Sequence, residues 1–462
     1  LLQASSRLGL VPLLGLLALG ASCVNDTKSR VGPAERRLEL AFISQAELLR
    51  EPSPAVRVLL EDRSLETRAR AALAAGRTRD LAAAPWLAKL LGHDGEDGAT
   101  AAWALGRLHA EIDPGKPAPA DLKANDAELA LANCLKTQCA QELAATRALG
   151  TSARSDETIR QLTLELERPA KFAAQAALSL GIIARIGGKG ADAKIAASAR
   201  ALLWRTLERP ESEARRGAAY ALGRLSRDGT ADVKSPPPDP AKPGPPIPAP
   251  VPPPLSAERK AALVAALRDP DAETRAVVAR AAGKQGLPAE ELAQLLRDED
   301  WRVRVEAARA LAFAPNGAAL IVPALRSAAA ELAAAKEIAM SSLAHPLTEL
   351  LASAATLKIP RDQIPGPDSL TAPSLAATIA VRCAAAEARD RVASELYETP
   401  TCSGGSEAPW RSRFRTASLV GDLAGDETKR RAGVTLIALL DDTDPRVRSA
   451  AAGSASPAFA AQ

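Results

Sequence analysis

Between Arg297 and Ala312 the chain reads RDEDWRVRVEAARALA; nearly the same text stands at Arg268–Gly283 (RDPDAETRAVVARAAG) and returns at Asp441–Ala452 (DDTDPRVRSAAA). Recurrence of this kind constrains the fold more than any single motif, because no pocket chemistry requires it. Four segments align as an apolar helix end, a short polar break and an amphipathic helix that stops near Gly or Ala: Leu60–Gly76, Leu207–Gly223, Leu267–Gly283 and Leu296–Ala312. The last two begin 29 residues apart, while ERPAKF at Glu167 and ERPESE at Glu208 are separated by 41. Periods in that range, with two helices each, belong to solenoids, in which every hairpin buries the apolar stripe of its neighbour.

The polar break has its own chemistry. Asp300 stands where an N-cap carboxylate accepts free amide hydrogens of the following turn. Asp444 with Pro445 repeats the device, since proline at the first helical position gives up an amide that had no partner. Beyond the cap, Val303, Ala307 and Leu311 share one face with Ala308 beside them, a stripe that needs cover. The arginine four places after the cap, Arg304, recurs as Arg68, Arg215, Arg275 and Arg448. It is placed to reach back over the break toward an acid of its own or the adjoining repeat, such as Asp298 or Asp269, and a ladder of such pairs would set the angle between repeats. If exposed, each pair is worth only about 0.2–1 kcal/mol.

Composition agrees with a helical array. Aromatics make up 3% of the 462 residues and alanine fills much of the apolar share, giving high helix propensity, close backbone approach and few large core side chains. The predicted fold is all-α, an alpha-alpha superhelix with a proline-rich interruption. The formal charge of +4 comes from 59 bases and 55 acids spread along the chain. Without a strong basic block this argues against a dedicated nucleic-acid binder; Arg411, Arg413 and Arg415, like Lys429, Arg430 and Arg431, read as solvated helix surface.

The residues Asp298, Asp300, Val303, Arg304, Ala307, Ala308 and Leu311, with their counterparts in the other copies, give the pattern as a resemblance: the chain resembles bacterial HEAT repeats, including the short kind of phycobilisome-lyase-like proteins. Weaker copies at Gly98–Leu108 and Phe172–Gly181 extend the pattern over most of Leu59–Ala452. The resemblance implies a solenoid offering a binding or scaffolding surface for a protein or peptide, with no cofactor and no bilin chemistry. The front of the chain also resembles bacterial proteins in which a HEAT array leads into a cyclophilin-type peptidyl-prolyl isomerase domain. On that alternative the chain would be the substrate-presenting part; the tail AAGSASPAFAAQ, lacking a full second helix or polar cap, fits a continuation, and no isomerase barrel pattern is present.

The N-terminus carries one charge, Arg7, an apolar run from Leu8 to Leu19, and then Gly20-Ala21-Ser22-Cys23. The run is too short to span a bilayer and suits a signal peptide. Its end resembles the cleavage box of bacterial lipoproteins, with Gly20 where that family usually has leucine. The resemblance implies lipidation of Cys23 and a lipid anchor at the periplasmic side of a cell-envelope membrane. No later apolar run reads as long and unbroken enough to span. The remaining cysteines, Cys134, Cys139, Cys383 and Cys402, are compatible either with two disulfides, 134 to 139 and 383 to 402, or with small buried thiols. The first pair closes only if the helix breaks around LKTQ.

The domain reading is a signal segment at 1–23, a helical lead-in at 24–58, a helical array at 59–234, a proline-rich linker or loop at 235–255, a second array at 256–358, a loop insertion at 359–373, degenerate repeats at 374–452 and a tail at 453–462. Twelve prolines between Pro236 and Pro254 rule out helix or sheet there; the segment is a spacer between arrays or a long loop between stacked repeats. The insertions at 359–373 and 398–409 are expected to project from one edge and line a binding site. Catalytic and metal constellations are not found. His93, His109 and His345 have no metal-ligand spacing, the acidic turn LGHDGEDG lacks an EF-hand register, GGKGAD at Gly187–Asp192 lacks Walker spacing, and no serine has a nucleophile-elbow context. A noncatalytic protein-binding scaffold is the expectation.

Overall fold

A computed structural model describes residues 33–108, 125–152, 155–186, 193–225, 255–335, 340–370 and 375–393, then 410, 413–414, 417–418, 433 and 436–454. Among them there is no strand. The helices alternate between two rows. One row comprises α1 (Pro33–Leu49), α3 (Leu65–Thr78), α5 (Glu96–Leu108), α7 (Glu142–Ser152), α9 (Ala170–Ile186), α11 (Ser212–Leu222), α13 (Ala272–Gln285), α15 (Trp301–Leu311) and α17 (Met340–Thr356), each packed along the next, with α18 (Leu375–Ala393) laid on α17. The other holds α2 (Pro54–Leu59), α4 (Ala84–Leu90), α6 (Asn125–Thr137), α8 (Asp156–Leu166), α10 (Ala193–Thr206), α12 (Ala257–Ala266), α14 (Ala289–Ala293) and α16 (Gly317–Ala334), which touch one another far less. A final helix, α19, spans Pro445–Ser454. The chain is therefore an all-α superhelix, with a close row and an open row.

The core lies between the rows and runs as one cluster from Ile43 to Ala388. Each layer contributes a fully buried leucine: Leu60, Leu87, Leu105, Leu131, Leu149, Leu162, Leu180, Leu203, Leu222, Leu263 and Leu287. The stripe of α15 is covered as its spacing requires, with Val303, Ala307, Ala308 and Leu311 at 0% exposure. A smaller cluster gathers Ala417, Leu436, Leu439, Val447 and Ala451.

The glycine near the end of a repeat ends the helix at Gly223, the C-cap of α11, but not in other layers. Helix α3 runs two residues past Gly76, α7 two past Gly150 and α13 two past Gly283. The glycine instead marks the closest approach to the next helix of the close row. A Cβ on Gly283 would lie 2.5 Å from the Ala310 carbonyl oxygen, and one on Gly181 would lie 2.5 Å from the Ala221 Cβ. Gly76 meets Ala104, Gly106 meets Ala148, Gly150 meets Ser179 and Gly223 meets Ala281 in the same register. Missing side chains on one helix and small ones on its neighbour draw the row together, and the aromatic-poor composition is the consequence.

Of the two alternatives for the proline-rich segment, the loop between stacked repeats agrees with the packing, and other expectations change. Helix α11, before the proline-rich segment, packs directly on α13 beyond it, and Gln285 Nε2 donates to the Leu222 carbonyl at 2.8 Å. Residues 226–254, which lie outside the described set, thus join adjacent layers of one stack, and the two arrays are continuous. The insertion at 359–373 does not simply project. Ile359, Ile364 and Leu370 are 5%, 1% and 3% exposed, and Arg389 donates to the carbonyls of Arg361 and Ile364 at 2.9 and 2.8 Å. Through Leu370 it occupies the place of an open-row helix; residues 371–374 and 398–409 are outside the described set. Helix α16, 18 residues with a mean hydropathy of 1.3, is long and apolar enough to cross a membrane by length and composition, contrary to the sequence reading. In the fold it lays Ile321, Leu325 and Leu332 into the core and keeps Arg326 and Glu331 outside.

Candidate interaction surface

The repeat residues singled out in the sequence converge along the loop edge of the stack. Each cap-plus-four arginine sits one turn inside its helix and bonds back to its own loop, and three of them also bond forward. Its Nη1 reaches back to carbonyls of its own loop: Arg68 to Asp62 at 2.8 Å, Arg275 to Asp269 at 2.8 Å, Arg304 to Asp298 at 2.6 Å, Arg448 to Asp442 at 2.7 Å, and Arg215 to Arg209. The Nε of three of them reaches forward to an acid of the next layer: Arg68 to Asp97 at 2.7 Å, Arg215 to Asp269 at 2.5 Å, and Arg275 to Asp298 at 2.9 Å. The reach back therefore ends on carbonyl oxygens, and the carboxylate belongs to the following repeat. That acid also accepts the amide two residues on, Asp269 from Asp271 and Asp298 from Asp300, both at 2.9 Å, which shapes the loop. Asp300 then caps α15 by accepting from the Arg302 amide at 2.8 Å, and Asp444 does the same for Arg446 at 2.9 Å, ahead of Pro445.

These pairs are buried, not surface pairs. Asp97 and Asp269 are 1% and 0% exposed at the side chain, with their arginines at 16% and 13%. Burial works against the charge of Asp298, but hydrogen bonds from Arg275 and the Asp300 amide and the charges of Arg275 and Arg304 hold its carboxyl below the ordinary carboxylate range. Asp97 and Asp269 are lowered by the same contest, with His93 and Arg68 donating to the first and Arg215, Asp271 and Ser212 to the second. Arg413, read from sequence as solvated surface, is instead 14% exposed and bound to Asp442 at 2.6 Å. The sequence passed over Asp62, Asp97 and Asp442 as partners; the recurring acid two places before the cap, at Asp62, Asp269, Asp298 and Asp442, was the available signal.

Cys134 and Cys139 form a disulfide with Cα atoms 4.9 Å apart. Helix α6 ends at Thr137 and Gln138 turns to φ 51°, which swings Cys139 back toward Cys134. Cys383 is also disulfide-bonded; Cys402 and Cys23 lie outside the described residues, as do His109 and Gly187–Asp192. His93 Nδ1 is 2.8 Å from the Asp97 carboxylate, and no group of metal-ligating residues is found among the described residues.

The open chemistry lies elsewhere, on the solvent face of the close row. In a helix of 3.6 residues per turn, the positions three before and one after the contact glycine lie toward the solvent face, with the Trp103 ring reaching over Gly76 of α3 and Arg280 standing 3.9 Å from Glu306 of α15. Trp103 and Tyr220 occupy the first position, 41% and 42% exposed, and Phe313 occupies the second in the layer where Ala312 replaces glycine, 53% exposed. Arg147 and Arg280 share the first position, Arg224 and Lys284 the second, and Arg185 lies one turn on; all five are exposed. The Arg224 guanidinium lies 4.6 Å from the Tyr220 ring and the Lys284 ammonium 5.9 Å from that of Phe313. A shallow groove of about 250 Å³ beside Phe313 is lined by Arg280, Lys284, Arg309, Glu349, Ser353 and Thr356. It continues across Glu349, Ala352 and Thr356 into a second, of about 260 Å³, between α17 and α18. Cations that look dispersed in the chain are thus collected on one face.

A two-row stack of short helices defines the class, an α-solenoid. Residues 261–344 match the family described as HEAT repeats. Among solved structures, one described as the Kap95:Nup1 complex is similar with a TM-score of 0.53 and 11% identity, covering 91% of this chain and 63% of that one. An engineered protein covers 92% of this chain and 95% of its own at 19% identity and a TM-score of 0.33, and YIBA_ECOLI covers 80% and 99% at 12% and 0.37. Only the first compares at the level of fold. No curated protein matches the chain.

Proposed function

We propose that the chain is a noncatalytic scaffold that holds a protein or peptide along the solvent face of the close row, and that it works at a bacterial cell envelope through a lipid on Cys23. The observation that carries the binding reading is the register of Trp103, Tyr220 and Phe313. Exposed aromatics recurring on one face of a stack, Trp103 and Tyr220 at one repeat position and Phe313 at the neighbouring one, supply the type of side chain that dominates protein interfaces. HEAT-repeat solenoids generally use such surfaces for protein partners, and the similarity to the Kap95 chain supports that class of role. The envelope reading is supported by the N-terminal sequence alone.

The test is affinity capture by the tagged full chain from detergent-solubilised envelopes, with mass identification. The triple variant W103A/Y220A/F313A is expected to lose the captured protein at least tenfold, while L164A on the open row retains it. Equal capture by both variants would remove the surface from consideration. C23S is expected to move the protein from the membrane to the soluble fraction; an unchanged distribution would end the anchoring reading.

A further inference from the structure

The solvent face of the close row has a charge pattern that narrows its partner. From α5 to α13 the outward positions hold Ala99, Thr100, Trp103 and Arg107; Leu143, Ala144, Arg147 and Thr151; Ala174, Gln175, Leu178, Ile182 and Arg185; Arg216, Tyr220 and Arg224; and Val277, Arg280 and Lys284. On these stripes acids stand in the first turn only, at Glu96, Glu213 and Glu273; Glu273 accepts from Arg216, Arg280 lies 3.9 Å from Glu306 of α15, and beyond that first turn the outward positions of the described α5 to α13 are cationic or uncharged. Each layer presents at least one cation beside an aromatic or aliphatic side chain, and neighbouring close-row helices stand about 8–10 Å apart. We propose that this face binds an extended acidic polypeptide whose carboxylates alternate with apolar side chains; this rests on the binding reading above and specifies its ligand.

The geometry favours a peptide over other polyanions. An extended chain advances about 3.3 Å per residue, so an acid at every third residue meets one cation per layer. The intervening side chains then fall on the Trp103, Leu178, Ile182 and Tyr220 surfaces. Each strand of a nucleic-acid duplex carries a phosphate about every 3.4 Å along its axis, roughly three charges per layer, which this spacing would leave largely unpaired. At the α13 to α17 end the face also turns mixed: Arg309 bridges Glu306 at 2.6 Å and Glu349 at 2.8 Å, placing carboxylates where a continuous polyanion would run. A peptide whose own charge changes sign or ends there is accommodated.

Fluorescence anisotropy on the full chain tests this. The probe is a labelled eighteen-residue synthetic peptide with glutamate at every third position and leucine and serine between. The comparison ligands are the same peptide with lysine for glutamate, a single-stranded oligonucleotide of similar contour length, and phosphatidylglycerol vesicles. The acidic peptide is expected to bind, weakening as salt rises, and the lysine peptide to bind at least tenfold more weakly. R147E/R224E/K284E is expected to lower affinity at least tenfold, R147Q/R224Q/K284Q by an intermediate factor, and R63E/R205E/R297E, with the same charge change off this face, by less than twofold. Helical circular dichroism confirms that each variant is folded. Tighter binding of the oligonucleotide or vesicles, or equal losses in the two reversal variants, overturns the proposal. If the partner captured from envelopes is lost on aromatic truncation but indifferent to charge reversal, the acidic-ligand inference fails while the scaffold reading stands.

Discussion

Gly283 and Gly223 occupy the same place in their repeats, yet they are not equally replaceable. Alanine gains about 1 kcal/mol over glycine in a helix interior. At Gly283, however, the added methyl would meet the Ala310 carbonyl at 2.5 Å, whereas at Gly223 the nearest atom lies at 3.3 Å. Overpacking costs about 1–3 kcal/mol, so G283A is expected to destabilise by that order and G223A to stay within about 1 kcal/mol of the parent, as read by urea denaturation. The ladder gives a second residue-level prediction. Removing one member of a buried ion pair costs about 3–5 kcal/mol, so R275M is expected to destabilise strongly. R63Q, at an exposed position, changes little. The carboxyls of Asp97, Asp269 and Asp298 are held below their ordinary values in the fold. Their contribution is fully present above the unfolded-state pKa of about 3.9 and is lost as pH falls through the lower folded values. D269N/D298N should therefore lose stability near neutrality and show a flatter acid limb; a limb as steep as the parent's would mean that other carboxylates govern acid unfolding.

At the scale of elements, the connection from α11 to α12 spans residues 223–256, while the equivalent connection from α7 to α8 needs only residues 153–155. Helix-to-helix connections in such stacks are commonly two to eight residues. Replacing 226–254 by about eight glycine and serine residues is expected to leave the thermal midpoint within a few degrees, because the packing of α11 on α13 bridges the cut. Loss of cooperative unfolding would show that the segment itself stabilises the stack. The pattern of apolar stripes and polar breaks made the close-row helices of the strong copies legible in advance. The open row was less so: α2 and α14 are six and five residues long, too short for a helical period to stand out. The segment around Ile364 has no helical pattern at all and is held in place by Arg389 and by burial of its apolar residues, neither of which local sequence can announce.

For the whole molecule, a compact globule of this length would have a radius of gyration of about 23 Å. Nine close-row helices in succession, each about 8–10 Å from the next, instead give an elongated particle, so solution scattering should return a distinctly larger value. Native-state hydrogen exchange should be slowest in α7 to α13, which have neighbours on both sides, and faster toward α1 and α19, as expected where each repeat is stabilised mainly by adjacent ones.

The sequence by itself determined the helical class, the stacking, the caps at Asp300 and Asp444 and the positions of the ladder arginines, because these depend on spacings within one repeat. Only the tertiary structure decided what those spacings meet: that Arg68, Arg215 and Arg275 grip the acid of the following layer, that the repeat glycine marks the closest contact between helices, and that the proline-rich break interrupts no stack. It also decided where Arg147, Arg185, Arg224 and Lys284 come together with Trp103, Tyr220 and Phe313. Residues in different repeats share a surface only through the register in which one helix is laid on the next, and that register is set by which small side chains allow the closest approach.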